Sequence, residues 1–400
     1  VVATPNTEVL CSGSTTNIIL SSETLNTTYS WTVVQNGVSG AVAGSGNTIS
    51  QTLTTTTSQI GTVTYIITPT ANGCVGEPIE VVVTINPIPV VVATPTSEAF
   101  CSGSATNLVL TSETLNTTYS WTVVQNGVSG AVAGSGNTIS QTLTTTTSQI
   151  GTVTYIITPT ANGCVGEPIE VTVTVNPIPV VVATPASEVF CSGSTTNLVL
   201  SSETLNTTYS WTVVQNGVSG AVAGSGNTIS QTLTATTPQI GTVTYIITPT
   251  ANGCVGEPIE VVVTINPIPV VVATPTSEAF CSGSATNLVL TSETLNTTYS
   301  WTVVQNGVSG AVAGSGNTIS QTLTTTTPQI GTVTYIITPT ANDCVGEPIE
   351  VMVTVNPIPV VVATPNTEVL CSGSTTNIVL SSETLNTTYS WTVVQNGVSG

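Results

Sequence analysis

In the segment Tyr29-Ser30-Trp31-Thr32-Val33, large apolar residues alternate with small polar ones, the period-two pattern of a β-strand that buries one face. The same pattern extends outward. Val63, Tyr65 and Ile67 alternate with Thr62 and Thr64, and Ile79, Val81, Val83 and Ile85 form a third inward set. Position 82 is read as outward, because successive copies place Val82, Thr172, Val262 and Met352 there. Gly, Asn, Pro and Ser punctuate these runs at intervals of about 8 to 15 residues, and no stretch carries helical periodicity. Seven strands are expected in the first copies: 90–94, 17–21, 28–34, 38–42, 48–54, 62–68 and 79–85. Such a set packs as a two-sheet sandwich. Trp31 is its expected centre, with Trp121, Trp211, Trp301 and Trp391 in the same role.

Those tryptophans recur every 90 residues, and so does Cys-Ser-Gly, at Cys11, Cys101, Cys191, Cys281 and Cys371. A fixed period of this size marks a tandem array. The expected modules are 1–87, 88–177, 178–267 and 268–357, with a partial fifth copy at 358–400, so the chain reads as a slice of a longer array. A sandwich of about 90 residues buries roughly 65% of its unfolded surface, enough for an independent but modest core. Adjacent modules meet at Asn86-Pro87-Ile88-Pro89 and its repeats, where two prolines in four residues favour an extended, stiff connection and a semi-rigid linear rod.

Composition narrows the function. The 400 residues contain no Lys, Arg or His, against 19 Asp and Glu, for a formal net charge of −19. Polyanions are gripped by Lys and Arg, so nucleic acid and anionic lipid surfaces are excluded as partners. With 40% hydrophobic and 5% charged residues and a mean hydropathy of +0.39, the chain is too apolar for a disordered acidic tail. No apolar run approaches the roughly 20 residues that span a bilayer, so no membrane contact is expected within this segment. Trypsin-like proteases have no cleavage site, and Lys–Asn isopeptide crosslinks cannot form.

The series Cys-Ser-Gly, Tyr-Ser-Trp-Thr-Val, Gly-Ser-Gly-Asn-Thr-Ile-Ser-Gln-Thr-Leu-Thr, Gly-Thr-Val-Thr-Tyr, Thr-Ala-Asn-Gly-Cys and Asn-Pro-Ile-Pro resembles the PKD-like, immunoglobulin-like tandem repeats of Bacteroidetes giant surface adhesins. Nearly every residue is covered. The Trp-Asp-Phe-Gly-Asp-Gly core of typical PKD domains is absent, and Tyr29-Ser30-Trp31-Thr32-Val33 stands in its place. The resemblance implies an all-β array that serves as the stalk of a secreted cell-surface filament, of the gliding-motility adhesin type exported by the type IX system. The alternative is that the repeats themselves bind glycan or abiotic surfaces, through loops such as 37–46, as multivalent adhesive modules.

Each full copy carries two cysteines 63 residues apart. With no His and no Cys-x-x-Cys pair, a disulfide is the expected fate of paired cysteines in a secreted module. Pairing within a copy would join Cys11–Cys74, Cys101–Cys164, Cys191–Cys254 and Cys281–Cys344, leave Cys371 alone, and close a loop that contributes about 4 kcal/mol. A second arrangement links neighbours, Cys11 to Cys164 and Cys101 to Cys254, if Cys11 sits at the outgoing end of its module and Cys164 at the incoming end of the next.

Catalysis has little to work with. His and Lys are absent, and the remaining carboxylates, Glu8, Glu23, Glu77 and Glu80, have no evident cleft around them, so an enzyme is not expected. No cofactor is expected either. The one candidate cation site is calcium on Glu77, Glu80 and Asn72, without an Asp-rich binding loop to support it. The Asn26-Thr27-Thr28 sequon is read as coincidental.

Overall fold

The computed structural model describes residues Val1–Gly400, all strand, turn and loop without a helix. The first repeat contains twelve strands: β1 (Val2–Thr4), β2 (Thr7–Cys11), β3 (Ser14–Thr15), β4 (Ile18–Ser21), β5 (Thr27–Asn36), β6 (Val38–Ser39), β7 (Gly44–Ser45), β8 (Thr48–Ile49), β9 (Thr52–Thr55), β10 (Gly61–Ala71), β11 (Cys74–Val75) and β12 (Ile79–Asn86). The set returns in the later full repeats, which end at Asn176, Asn266 and Asn356.

One sheet runs β2-β12-β10-β5-β7, with β11 hairpinned onto β10; facing it are β1-β4-β8 and the short ladder β3-β9-β6. The long strands β5, β10 and β12 are antiparallel neighbours, with Tyr65 opposite Val33 on one side and Val81 on the other. The seven expected strands are all present, 48–54 being split in two. The four additional ones carry weaker local signals. β2 is half exposed, and it pairs in parallel with β12, a contact about 75 residues away in sequence that alternation within Thr7–Cys11 does not announce.

Alternation does assign the core. Tyr29, Trp31, Val63, Tyr65, Ile67, Val81, Val83 and Ile85 pack with Ile18, Leu20, Ile49 and Leu53 from the opposing sheet. Each buried aliphatic side chain contributes roughly 1.5–3 kcal/mol. Position 82 faces outward, as Met352 shows at 53% exposed. Trp31 is buried but off-centre: its indole lies over β7, where a Cβ on Gly44 would meet the ring at 2.7 Å. The largest fully buried side chain is Tyr65.

A polar network ties the sheets together. The Tyr65 hydroxyl donates to Gln51 Oε1 at 2.9 Å, and Gln51 Nε2 and Trp31 Nε1 both donate to the Val42 carbonyl, at 2.8 and 3.1 Å. Thr16, fully buried, donates to Ile49 O and accepts from Gln51 N–H, both at 3.0 Å. The polar atoms of this network are thereby satisfied, and the 38–46 loop is pinned to the core.

After Asn356 only Val362–Thr364 and Val379–Ser381 pair. No counterparts of β10 and β12 cover this segment, so Trp391, expected in a core, is 73% exposed.

The chain forms two compact units, one of Val1–Val181, Ser201–Thr208 and Thr248–Glu257, the other of Val182–Leu200, Tyr209–Ile247 and Pro258–Gly400. The first includes, from the third repeat, the short segments around Cys254, which is bonded to Cys101 of the second.

Burial pushes the Tyr65 hydroxyl up to about 12, and its equivalents Tyr155, Tyr245 and Tyr335 also rise for that reason first. The folded state holds these protons more tightly than the unfolded state, whose tyrosines ionise near 10. The contribution of Tyr65 to stability is therefore fully present below pH 10 and lost as pH rises through about 12, and its equivalents act in the same direction. Alkaline titration followed at 295 nm should show these phenols ionising together with loss of the sheet signal in circular dichroism; normal ionisation near pH 10 with the fold intact would contradict the burial.

Candidate functional site: the stapled junction between repeats

The chemistry of this chain is concentrated where one repeat meets the next. In the first repeat β2 runs beside β12 with Cys11 in register with Asn86, and Ser12 N–H donates to Asn86 O at 2.8 Å. Parallel pairing thus carries Cys11 to the end of the module where the chain leaves it. In the second repeat, Cys164 follows the tight Asn162-Gly163 turn at the end of the 151–161 strand, opposite Ala161. Both turn residues have positive φ, 52° and 79°, the geometry that Asn-Gly hairpins favour.

These two ends are bonded. Cys11 pairs with Cys164, Cys101 with Cys254 and Cys191 with Cys344, each with Cα atoms 5.6 Å apart. The within-module pairing Cys11–Cys74, Cys101–Cys164, Cys191–Cys254 and Cys281–Cys344 is therefore replaced by bridges between neighbours. The reason is geometric: within a repeat, Cys11 lies beside the C-terminal end of β12, whereas Cys74 lies in the hairpin that precedes the start of β12. Cys74, Cys281 and Cys371 are free and exposed.

Two further contacts accompany each staple. Asn86 Nδ2 donates to Asn162 O at 3.0 Å, and Asn266 to Asn342 O at 3.1 Å. Gly166 lies so close to the preceding linker that a Cβ there would collide with Pro89 O; Gly256 and Gly346 meet Pro179 and Pro269 in the same way.

Identical sequences on the two sides of this contact give its footprint directly. Ala71-Asn72-Gly73-Cys74-Val75-Gly76 and Ala161-Asn162-Gly163-Cys164-Val165-Gly166 are the same six residues, yet Cys74 and Gly76 are exposed while Cys164 is 2% exposed and Gly166 is buried. Thr24 is exposed and its equivalent Thr114 buried.

The other candidates are not assembled into a site. Glu23, Glu77 and Glu80 are exposed, and no three His, Cys, Asp or Glu side chains come together as metal ligands. Glu8, Glu98 and Glu188 each bury one carboxylate oxygen without a partner, and burial pushes the Glu188 carboxyl up. A groove of about 520 Å³ in the second unit is lined by Ser192, Thr236, Pro238, Pro267, Ile268 and Glu293. One carboxylate among small and apolar residues offers no convergent set of donors. In the 37–46 loop Ala41 is buried and Gly44 lies against Trp31, so its small residues serve packing. No helix is long and apolar enough to cross a membrane.

Two measurements check this junction. Glutamyl-specific digestion under non-reducing conditions should link 189–203 to 294–347, two peptides of unique sequence, through Cys191–Cys344; a link from 189–203 to 204–257 would restore within-module pairing. In the fourth repeat Asp343 replaces the turn glycine at φ 63°. Asp343→Gly should stabilise that repeat by about 1 kcal/mol in thermal melts of the full chain, because glycine adopts left-handed backbone without a Cβ clash.

No curated protein matches the chain. Among solved structures, the protocadherin gamma B4 extracellular domain aligns at 11% identity and a TM-score of 0.34, covering 94% of this chain and 72% of its own. Titin domains I67–I69 align at 10% identity and 0.38, covering 68% and 98%. Insect hemolin aligns at 12% and 0.25, covering 88% and 98%. The sequence profile of the PKD-like domain matches residues 8–89, 98–179, 188–269 and 278–359, so the chain belongs to the PKD-like domain family as four tandem copies.

Proposed function

We propose that this array is a structural spacer, the stalk of an extracellular surface filament or adhesin that holds a functional end away from the cell. The observation that carries the reading is the junction: cysteine, asparagine, glycine and proline are committed, copy after copy, to fastening one repeat to the next. Bridges of this kind persist in oxidising surroundings, which supports an extracellular location. The resemblance to gliding-motility adhesins supports a role in surface attachment or gliding. The charge of −19 without a single cation adds mutual repulsion between filaments. The partners of these modules are, on this reading, the neighbouring modules themselves, and no catalytic activity is assigned.

The competing reading, repeats that adhere to glycan or abiotic surfaces, is separated by retention of the full chain on glass, polystyrene and a polysaccharide panel, against an unrelated sandwich of matched charge. Retention no greater than the control is the expected result. Strong retention on any of these surfaces would make the repeats adhesive and overturn the spacer reading.

A further inference from the structure

The bridges skip in a regular way, and the skip has a mechanical consequence. Cys11 joins Cys164 and Cys191 joins Cys344, so a covalent route runs along residues 1–11, crosses to 164–191, and crosses again to 344–400. Residues 12–163 and 192–343 lie off this route. Cys101–Cys254 supplies a second route that overlaps the first.

We infer that the staples turn the array into a double-stranded covalent tether, whose length under tension is limited by the bridged route and whose continuity survives any single backbone cut between Cys11 and Cys344. The physical basis is connectivity. A chain under tension cannot exceed its shortest covalent path, whatever unfolds, and that path is about a quarter of the 400 residues at ~3.4 Å per residue. In the repeating portion, about 27 residues from Cys164 to Cys191 span what is otherwise two full 90-residue periods. Much of that stretch is already extended, in the strands Cys164–Val165, Ile169–Asn176, Val182–Thr184 and Ser187–Cys191, so little slack is stored in it. Within-module bridges would behave differently, because every linker would then be the sole covalent connection.

Cut tolerance follows from the overlap. A break at 12–163 or 192–343 is bypassed through Cys11–Cys164 and Cys191–Cys344, and a break at 165–190 is bypassed through Cys101–Cys254. The proposal deepens the spacer reading and rests on it only for the source of the tension; surface retention tests that reading, and the experiments below test the tether.

The full oxidised chain, with Cys74, Cys281 and Cys371 alkylated, would be stretched by its two ends in single-molecule force spectroscopy. Its extension before detachment should be about one quarter of that after reduction, without steps that each release a ~90-residue repeat; those steps should appear once reductant is added. Equal extension in the two states would overturn the proposal. In a second experiment a site-specific protease sequence replaces the 177–180 linker. After cleavage the two halves should migrate as one species on a non-reducing gel, and Cys254→Ser should make them separate without reductant while leaving the stretched length of the uncut chain unchanged. Separation of the cut chain with all three bridges intact would sink the second route.

Discussion

The parallel pairing of β2 with β12 is the constraint on which the rest of this molecule depends. It closes the larger sheet at one edge, and it draws Cys11 along the last strand until it stands beside Asn86, where the chain leaves the module. Were β2 not paired with β12, Cys11 would have no such guide. Because every full repeat repeats the pairing, every full repeat presents a thiol at the same place.

What meets that thiol is a hairpin whose parts are each needed for close approach. Asn162-Gly163 makes a two-residue turn, Gly166 leaves room for a proline carbonyl, and Asn86 supplies the donor for the turn's own carbonyl. A junction assembled from backbone carbonyls, glycine and a neutral amide needs no ion pairs, which suits a chain without a cation. A proline-containing linker stiffens the chain between neighbouring domains without by itself fastening them to one another. Here the Pro89 carbonyl lies against Gly166 of the following repeat, and the bridge beside it makes the coupling covalent.

The same economy governs the interior. Val42 offers one carbonyl to both Trp31 and Gln51, and Gln51 in turn receives the Tyr65 hydroxyl, so three side chains share two acceptors. A buried network of this kind is costly if any member is lost, and it ties the 37–46 loop to the core. Repetition compounds the effect: a module without a cleft, copied with few changes, extends reach and continuity more readily than it creates a ligand site.

Much was legible from residues alone. The alternation in Tyr29–Val33, Val63–Ile67 and Ile79–Ile85 named the core faces, because the side-chain period of a strand is a local property, and the 90-residue period named the array. The absence of Lys, Arg and His was itself legible, and it leaves no cationic side chain to grip a polyanion. The strand at Thr7–Cys11 escaped notice because its partner is remote and its faces are only half buried. The bridges were decided only by tertiary structure. Sequence spacing shows that Cys11 and Cys74 share a repeat, but which thiols meet depends on which end of the sandwich each strand reaches, and the fold places Cys11 next to Cys164 of the following repeat.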